Sequence, residues 1–406
     1  MTETDLSQTI QATALAGMLE SARTTHELTE YHGVLTPRVL DAPEMETAAL
    51  AEGAALHDLG WLRRVAVRGE DRFRWLSGMV TNTVNDLFPN TGAWNLVLNA
   101  QGRIQGDLTV WREGEELQPQ RRKTAAAPAK EIKLVGDRAL GTPFAGESGL
   151  ELEIAADQYD KLMAHLNRFI IMDDVELLPV GGDAVGETSA ETAIGLTGPQ
   201  ASQVLERVGL PAIVQPMTGV SVEWNGWDLR ILRGYGALAE HYEFWLPPAG
   251  LKKLWSCLRA GGATPSGCAS LEAFRVAEGI PAYGVDMVER DLPQETSQTR
   301  AVHFNKGCYL GQEIVERIHS RGNVHRHLRP LELAGPAPAG GTELTLEDGT
   351  VAGQITSAAE LPLKKGRRVF ALAMMRSEAE ARSQTFNYTS REMTGTATIL
   401  AAPPTL

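Results

Sequence analysis

Residues 306–313 read KGCYLGQE, and the reading of this stretch decides what the rest of the chain is. One cysteine sits between a glycine and a tyrosine, just ahead of a polar pair that opens a helix. Downstream, IVERIHSRG sets Ile314, Val315 and Ile318 at helical spacing, with Gly322 as the stop signal. Cys308 therefore falls near a helix N-terminus, two residues after the ammonium of Lys306. That setting favours a thiolate, and so nucleophilicity or metal ligation. A small buried thiol filling a gap is the equally available alternative.

The surrounding chain has 406 residues, enough for two or three domains, with 43% hydrophobic and 22% charged residues, as in an ordinary globular protein. Its longest apolar runs, such as FALAMM at 370–375, fall far short of a membrane span. The N-terminus MTETDLSQTI lacks a basic region followed by an apolar one, so the expected address is cytoplasmic, with no membrane contact. Cys257, Cys268 and Cys308 are odd in number and show no CxxC spacing. This suits a reducing compartment and argues against a zinc finger or a disulfide framework; no metal site is expected. A net charge of −13 disfavours coating nucleic acid through the overall field. A local basic patch remains at 317–329, where Arg317, Arg321, Arg326 and Arg329 alternate with His319, His325 and His327. It reads either as a solvated surface or as an anion or tRNA contact.

Working outward, the first fifty or so residues read as two short helices broken at Thr36-Pro37. LRRVAVRG, from Leu62, alternates like a half-buried strand, and EDRFRWLSGMVTNTV takes helical spacing through Phe73, Leu76 and Val80. WNLVLNAQGRIQGDLTVW is the clearest hairpin signal, turning at Asn99-Ala100-Gln101-Gly102. Residues 113–130 read as an exposed loop insertion. LELEIAADQYDKLMAHLNRFI and DDVELLPV add strand, helix and strand, giving adjacent β-α-β units in a domain over 61–187. GGDAVGETSAET is linker-like. Strand, turn and helix follow in AIGLTGPQASQVLERVGL, then a hairpin at VEWNGWDLRILRGYG turning on Asn225-Gly226. From about 326 short alternating runs separated by Gly and Pro are the signature of a small β-barrel. The expected division is 1–60 joining the first folded domain, 61–187, 188–325 completing the first domain, and 326–406.

Among chemical motifs, Gly234-Tyr235-Gly236-Ala237-Leu238-Ala239 matches G-x-G-x-x-A but is followed by a strand pattern, so a Rossmann site is rejected. No G-x-S-x-G elbow occurs. Asp107 is a lone carboxylate directly before a half-buried strand, either a surface charge or a group held near a ligand nitrogen. Arg275 lies on a helix lined by Leu271, Phe274 and Ala277, where it is either exposed or aimed at a carboxylate.

SGMVTNTVNDL, LNAQGRIQGDLTVW, SLEAFRVAEGIPAYG and KGCYLGQEIVERIHSRG, in this order, resemble the motifs of the folate-binding family that includes the glycine cleavage T-protein, an aminomethyltransferase, and its relative YgfZ. The likeness runs from about residue 56 to the end, and KGCYLGQE resembles the hallmark of the YgfZ branch. The resemblance implies an α+β fold of three domains around a central folate channel, with a C-terminal β-barrel. It implies tetrahydrofolate, or a one-carbon derivative, as cofactor, and a role in iron-sulfur cluster assembly or repair and tRNA modification through client or assembly proteins. Folate contacts would come from Met79, Asn82, Asp107, Tyr235, Glu240 and Arg275, with Glu243 second to Glu240 for the pterin. Cys308 would be the essential thiol, Lys306 its stabiliser, and Gln312 and Glu313 would orient the loop. The T-protein motif has two adjacent aspartates where this chain has Gly106-Asp107, which leaves aminomethyl transfer open as the rival activity. A non-enzymatic RNA-binding module is the third reading.

Overall fold

The computed structural model describes residues 10–22, 26–114, 149–180, 191–322, 324–364 and 366–406. Most of the expected insertion at 113–130, from residue 115 on, and most of the linker-like stretch 181–192, through residue 190, lie outside the described residues. The architecture is mixed α/β with a closed six-stranded barrel at the C-terminal end.

One sheet has six strands in the order Thr218–Trp224, Trp227–Arg233, His241–Leu246, Thr192–Thr197, Ala55–Asp58, Thr264–Pro265. A second has five, in the order Gly92–Leu98, Ile104–Arg112, Leu150–Ala155, Leu62–Arg68, Glu176–Val180. The five-stranded sheet thus comes from chain lying between two parts of the six-stranded one. Its helix Ala156–Asn167 links Leu150–Ala155 to Glu176–Val180, and Leu62–Arg68 lies between those two strands, antiparallel to both. The unit is a split β-α-β, in which a third strand occupies the gap that adjacent parallel strands would close. The first expected unit is not one: Leu62–Arg68 and Gly92–Leu98, on either side of helix Arg72–Met79, do not pair, because Gly92–Leu98 takes its hairpin partner Ile104–Arg112 at the sheet edge. Each sheet buries its own apolar face: Leu56, Ile194, Phe244 and Leu254 in one core, Val65, Leu76, Leu152 and Leu162 in the other.

The N-terminal reading needs correction. Both expected helices exist, Ala14–Ser21 and Pro43–Glu52, but the break between them is no plain loop: Thr36-Pro37 ends the second strand of a hairpin, Leu28–Tyr31 with Val34–Pro37. His32 and Gly33 both have positive φ, 49° and 80°, so a two-residue turn of the primed type closes it. Pro37 is tolerated there because a two-stranded ribbon has free edges. At Asn225-Gly226 the same turn chemistry, with φ of 52° and 83°, closes the expected hairpin.

The two most motif-like stretches meet. Gly102, in the turn after Gly92–Leu98, and Gly311, at the head of helix Gln312–Arg321, pack backbone to backbone. A Cβ on Gly311 would stand 2.6 Å from the Asn99 carbonyl oxygen and 2.9 Å from the Gly102 Cα. The cysteine loop is thereby seated on the hairpin that carries Asp107. At the other end, Asp286 binds the barrel: its carboxylate accepts from Thr356 Oγ1 at 2.5 Å and Ser357 Oγ at 2.7 Å, and pairs with Arg275 at 2.7 Å.

Candidate functional site

A cavity of about 300 Å³ opens between the two sheets, large enough for a ring-sized ligand. Trp94, Asp107 and Glu153 reach it from the five-stranded sheet, and His241 and Glu243 from the six-stranded one. Arg275 and Glu278 reach it from helix Cys268–Glu278, and Arg300 from the short turn Thr299–Ala301.

Asp107 faces this cavity because strand side chains alternate. Its Oδ2 accepts from Trp94 Nε1 at 2.8 Å and its Oδ1 from Gln158 Nε2 at 3.0 Å, while Gln158 Oε1 accepts from the Asp107 backbone N–H at 3.0 Å. Burial raises its pKa, and the Trp94 and Gln158 hydrogen bonds oppose the rise. Gly106 faces the other way: a Cβ there would lie 2.7 Å from Gln158 Oε1 and 2.9 Å from a Leu162 methyl. A second aspartate at 106 would displace the glutamine that holds Asp107, so the carboxylate this chain keeps is the one on the cavity.

Opposite stands a buried acid pair. Glu153 and Glu243 are 8% and 5% exposed and hydrogen-bonded to each other, with Trp111 Nε1 donating to Glu153 at 3.1 Å and Trp245 Nε1 to Glu243 at 3.2 Å. Two carboxyls in mutual hydrogen bond hold one proton between them. Burial first, then the neighbouring Glu243, puts Glu153 well above the usual carboxylate range; burial also raises Glu243. Behind them His241 lies 3.6 Å from Glu243, and Thr197 Oγ1 bridges His241 Nδ1 at 2.8 Å and His57 Nε2 at 2.9 Å. Burial drives His57 down to about 3, so it is a neutral link. LELEIA gave little notice of Glu153, since alternating Leu and Glu is the pattern of a sheet with one wet face. The second sheet covers that face, and Arg64 and Arg230 take up Glu151 there.

The other expected residues separate into two groups. Tyr235 and Arg275 line the cavity. Arg275 already holds Glu272 and Asp286, so it meets neighbouring acids. Glu240 is not on the wall: its carboxylate accepts from the Ser202 N–H at 2.9 Å and lies 3.4 Å from Arg233. Glu243 takes the cavity position, three residues on, within strand His241–Leu246. Met79 packs in the core of the five-stranded sheet. Asn82 Nδ2 donates to the carbonyls of Trp94 and Arg300 at 3.0 and 2.8 Å, tying the cavity wall from behind.

Cys308 is exposed and off the cavity, on the loop ahead of helix Gln312–Arg321. Lys306 donates three hydrogen bonds, to the carbonyls of Ser77 (2.8 Å), Val80 (2.7 Å) and Asn82 (2.6 Å). It closes the end of helix Arg72–Met79, and burial brings it down to about 8. Gln312 Oε1 accepts from the Tyr309 N–H at 3.3 Å, holding the turn, while Glu313 is exposed. Of the basic patch, Arg326 pairs with Asp291 and Glu295, and Arg329 with Glu380. Arg317 is exposed, and the Arg321 side chain is outside the described residues.

This geometry has solved counterparts. Glycine cleavage system aminomethyltransferase T from Bartonella henselae superposes with a TM-score of 0.77 at 18% identity, covering 97% of this chain and 98% of that one. The fold is that of the glycine cleavage T-protein. Residues 21–119 also match the GCVT N-terminal domain model. A "Putative transferase, chloroplastic" of Arabidopsis thaliana is 25% identical over 312 residues, 76% of this chain but only 62% of that protein. An aminomethyltransferase of Synechocystis sp. is 23% identical over 348 residues, 83% of this chain and 82% of the other. The structural likeness shows the T-protein fold, and the sequence likenesses point the same way at low identity. Among the described residues no helix is long and apolar enough to cross a membrane.

Proposed function

We propose that this chain is a tetrahydrofolate-binding protein of the YgfZ type, which supports iron-sulfur cluster assembly or repair through Cys308. The observation that carries the reading is the pairing of an acceptor-rich cavity with an exposed thiol seated on the same hairpin but outside the cavity. The donor set fits a reduced pterin. Its ring N–H groups need acceptors, which Asp107 and the Glu153–Glu243 pair supply, and its flat faces need walls of the kind Trp94, Tyr235 and Phe274 provide. The cofactor would supply one-carbon chemistry. The chain's own part is to bind and orient the ring, to hold one proton between Glu153 and Glu243, and to fix Asp107 by two donors.

Cys308 then acts as a separate thiol, presented to client or assembly proteins. Lys306 builds the loop through backbone carbonyls and Gln312 holds its turn. Aminomethyl transfer is the second reading, favoured by the retention of the cavity-facing carboxylate Asp107. Calorimetry with tetrahydrofolate on the wild type, Asp107→Asn and Cys308→Ala tests the assignment. Binding weakened about tenfold or more by Asp107→Asn and unchanged by Cys308→Ala is expected. Failure of Cys308→Ala to abolish support of iron-sulfur enzymes in cells would remove the YgfZ reading, and methylenetetrahydrofolate formed from an aminomethyl-lipoyl donor would install the second.

A further inference from the structure

The cavity wall carries four carboxyl groups, Asp107, Glu153, Glu243 and Glu278, and two guanidinium groups, Arg275 and Arg300. Arg275 is spent on Glu272 and Asp286. Among the described residues Arg300 has no ion pair: it contacts Trp94, 4.5 Å from guanidinium carbon to ring centroid, Tyr235 at 3.7 Å, and Gln298 Oε1 through a long hydrogen bond of 3.4 Å from Nε, while Glu278 and Asp107 act on its charge from farther off. The guanidinium carbon thus stands over both rings. A cation–π contact engages the charge without consuming an N–H donor, so the donors not given to Gln298 are left for an acceptor.

Arg300 is also held in place before any ligand arrives. Its carbonyl accepts from Asn82 Nδ2 at 2.8 Å, and the neighbouring Ala301, fully buried, accepts from Thr81 Oγ1 at 2.7 Å. Tyr235, 42% exposed, places the cation at the cavity mouth, while Trp94 donates from its other side to Asp107. A partly buried cation held over two rings, without an ion pair among the described residues, is a site for an anion brought by the ligand.

We propose that Arg300 reads the anionic end of the cavity's ligand, binding a carboxylate through the N–H donors left by its ring contacts. The ligand class is then a flat, N–H-rich ring joined to a carboxylate tail. The inference rests on the folate reading, in which the ring goes to the acids and a glutamyl carboxylate to Arg300. It adds that the cavity selects tail-bearing folates over bare pterins.

The test is calorimetry of wild type, Arg300→Gln and Arg300→Lys with two probes, tetrahydrofolate and the tail-less 6-methyltetrahydropterin. Arg300→Gln is expected to weaken tetrahydrofolate about tenfold or more and leave the pterin within about twofold, with Arg300→Lys between. Undiminished pterin binding also certifies that the variant is folded. If Arg300→Gln binds tetrahydrofolate as the wild type does, or loses both probes equally, the inference is wrong while the folate reading stands. If the wild type binds neither probe, the folate reading falls and takes this inference with it.

Discussion

At the scale of single residues, the cavity chemistry is set by carboxyls whose surroundings differ. Asp107 receives two donors, whereas Glu153 must share a proton with Glu243. A carboxyl whose folded pKa is raised stays protonated in the native state at a pH where the unfolded chain has released its proton. The stability it contributes is therefore full below the ordinary carboxylate range and is lost as pH rises through the folded value. Groups facing the pair, namely Trp111, Trp245, His241, Arg230 and Arg64, remain in Glu153→Gln, and the amide can still accept from Trp111 and donate to Glu243. The variant should have a flatter stability profile and gain roughly 1 kcal/mol or more at neutral to mildly alkaline pH. Urea unfolding followed across pH measures this, and a slope as steep as the wild type's would move the proton to another group. Lys306 shows the limit of reading a neighbour in sequence as a partner in space: two residues from Cys308, its ammonium serves the end of a helix more than 220 positions earlier.

Among elements, the decisive contact is the turn of the Asp107 hairpin against the head of helix Gln312–Arg321. Gly311 has φ of 81° and backbone atoms of Asn99 and Gly102 where a Cβ would go. Gly311→Ala should cost about 1–2 kcal/mol for the left-handed backbone and more for the collision, so above about 2 kcal/mol in all. Gly209, φ 73° with nothing within 4 Å of its virtual Cβ, is the internal comparison, and Gly209→Ala should show only the backbone cost of about 1 kcal/mol. Thermal melting of the two variants separates the effects; equal losses would mean that the hairpin and helix do not depend on close contact. The hairpin at 92–112, the one turning on Asn225-Gly226 and the helix after KGCYLGQE were legible because turn residues and apolar periods are local signals. The N-terminal hairpin was not, since its His-Gly turn is weaker than Asn-Gly and its strands are four residues each.

Across the whole molecule, Asp286 joins barrel, loop and helix in one hydrogen-bonded knot. It is 1% exposed and binds Arg275, the Ala282 N–H, Thr356 and Ser357. Asp286→Ala strips a buried cation of one partner and the Ser357 hydroxyl of its acceptor, while Thr356 Oγ1 keeps the Leu372 carbonyl at 3.1 Å, a loss of about 3–5 kcal/mol. A shift of the urea midpoint to match is expected, and an unchanged midpoint would show the barrel to be held by apolar packing against helix Cys268–Glu278 instead. The same scale weighs on the basic patch at 317–329. Arg326 and Arg329 join the barrel's first strand to acids elsewhere, so two of its four arginines are engaged inside the protein.

The sequence alone determined the α+β class, the terminal barrel, the hairpin carrying Asp107 and the helix behind Cys308, because each depends on residues close together along the chain. Only the tertiary structure decided which polar groups share a cavity. Glu153, Glu243 and Arg300 come from two sheets and a short turn, and what meets in the cavity is far apart in the chain: Glu153 faces Glu243, and Arg300 faces Trp94 and Tyr235. Whether a carboxyl is solvated, paired or holding a proton depends on what packs over it. LELEIA reads the same whether water or a second sheet covers its glutamates, and that covering set the chemistry of the site.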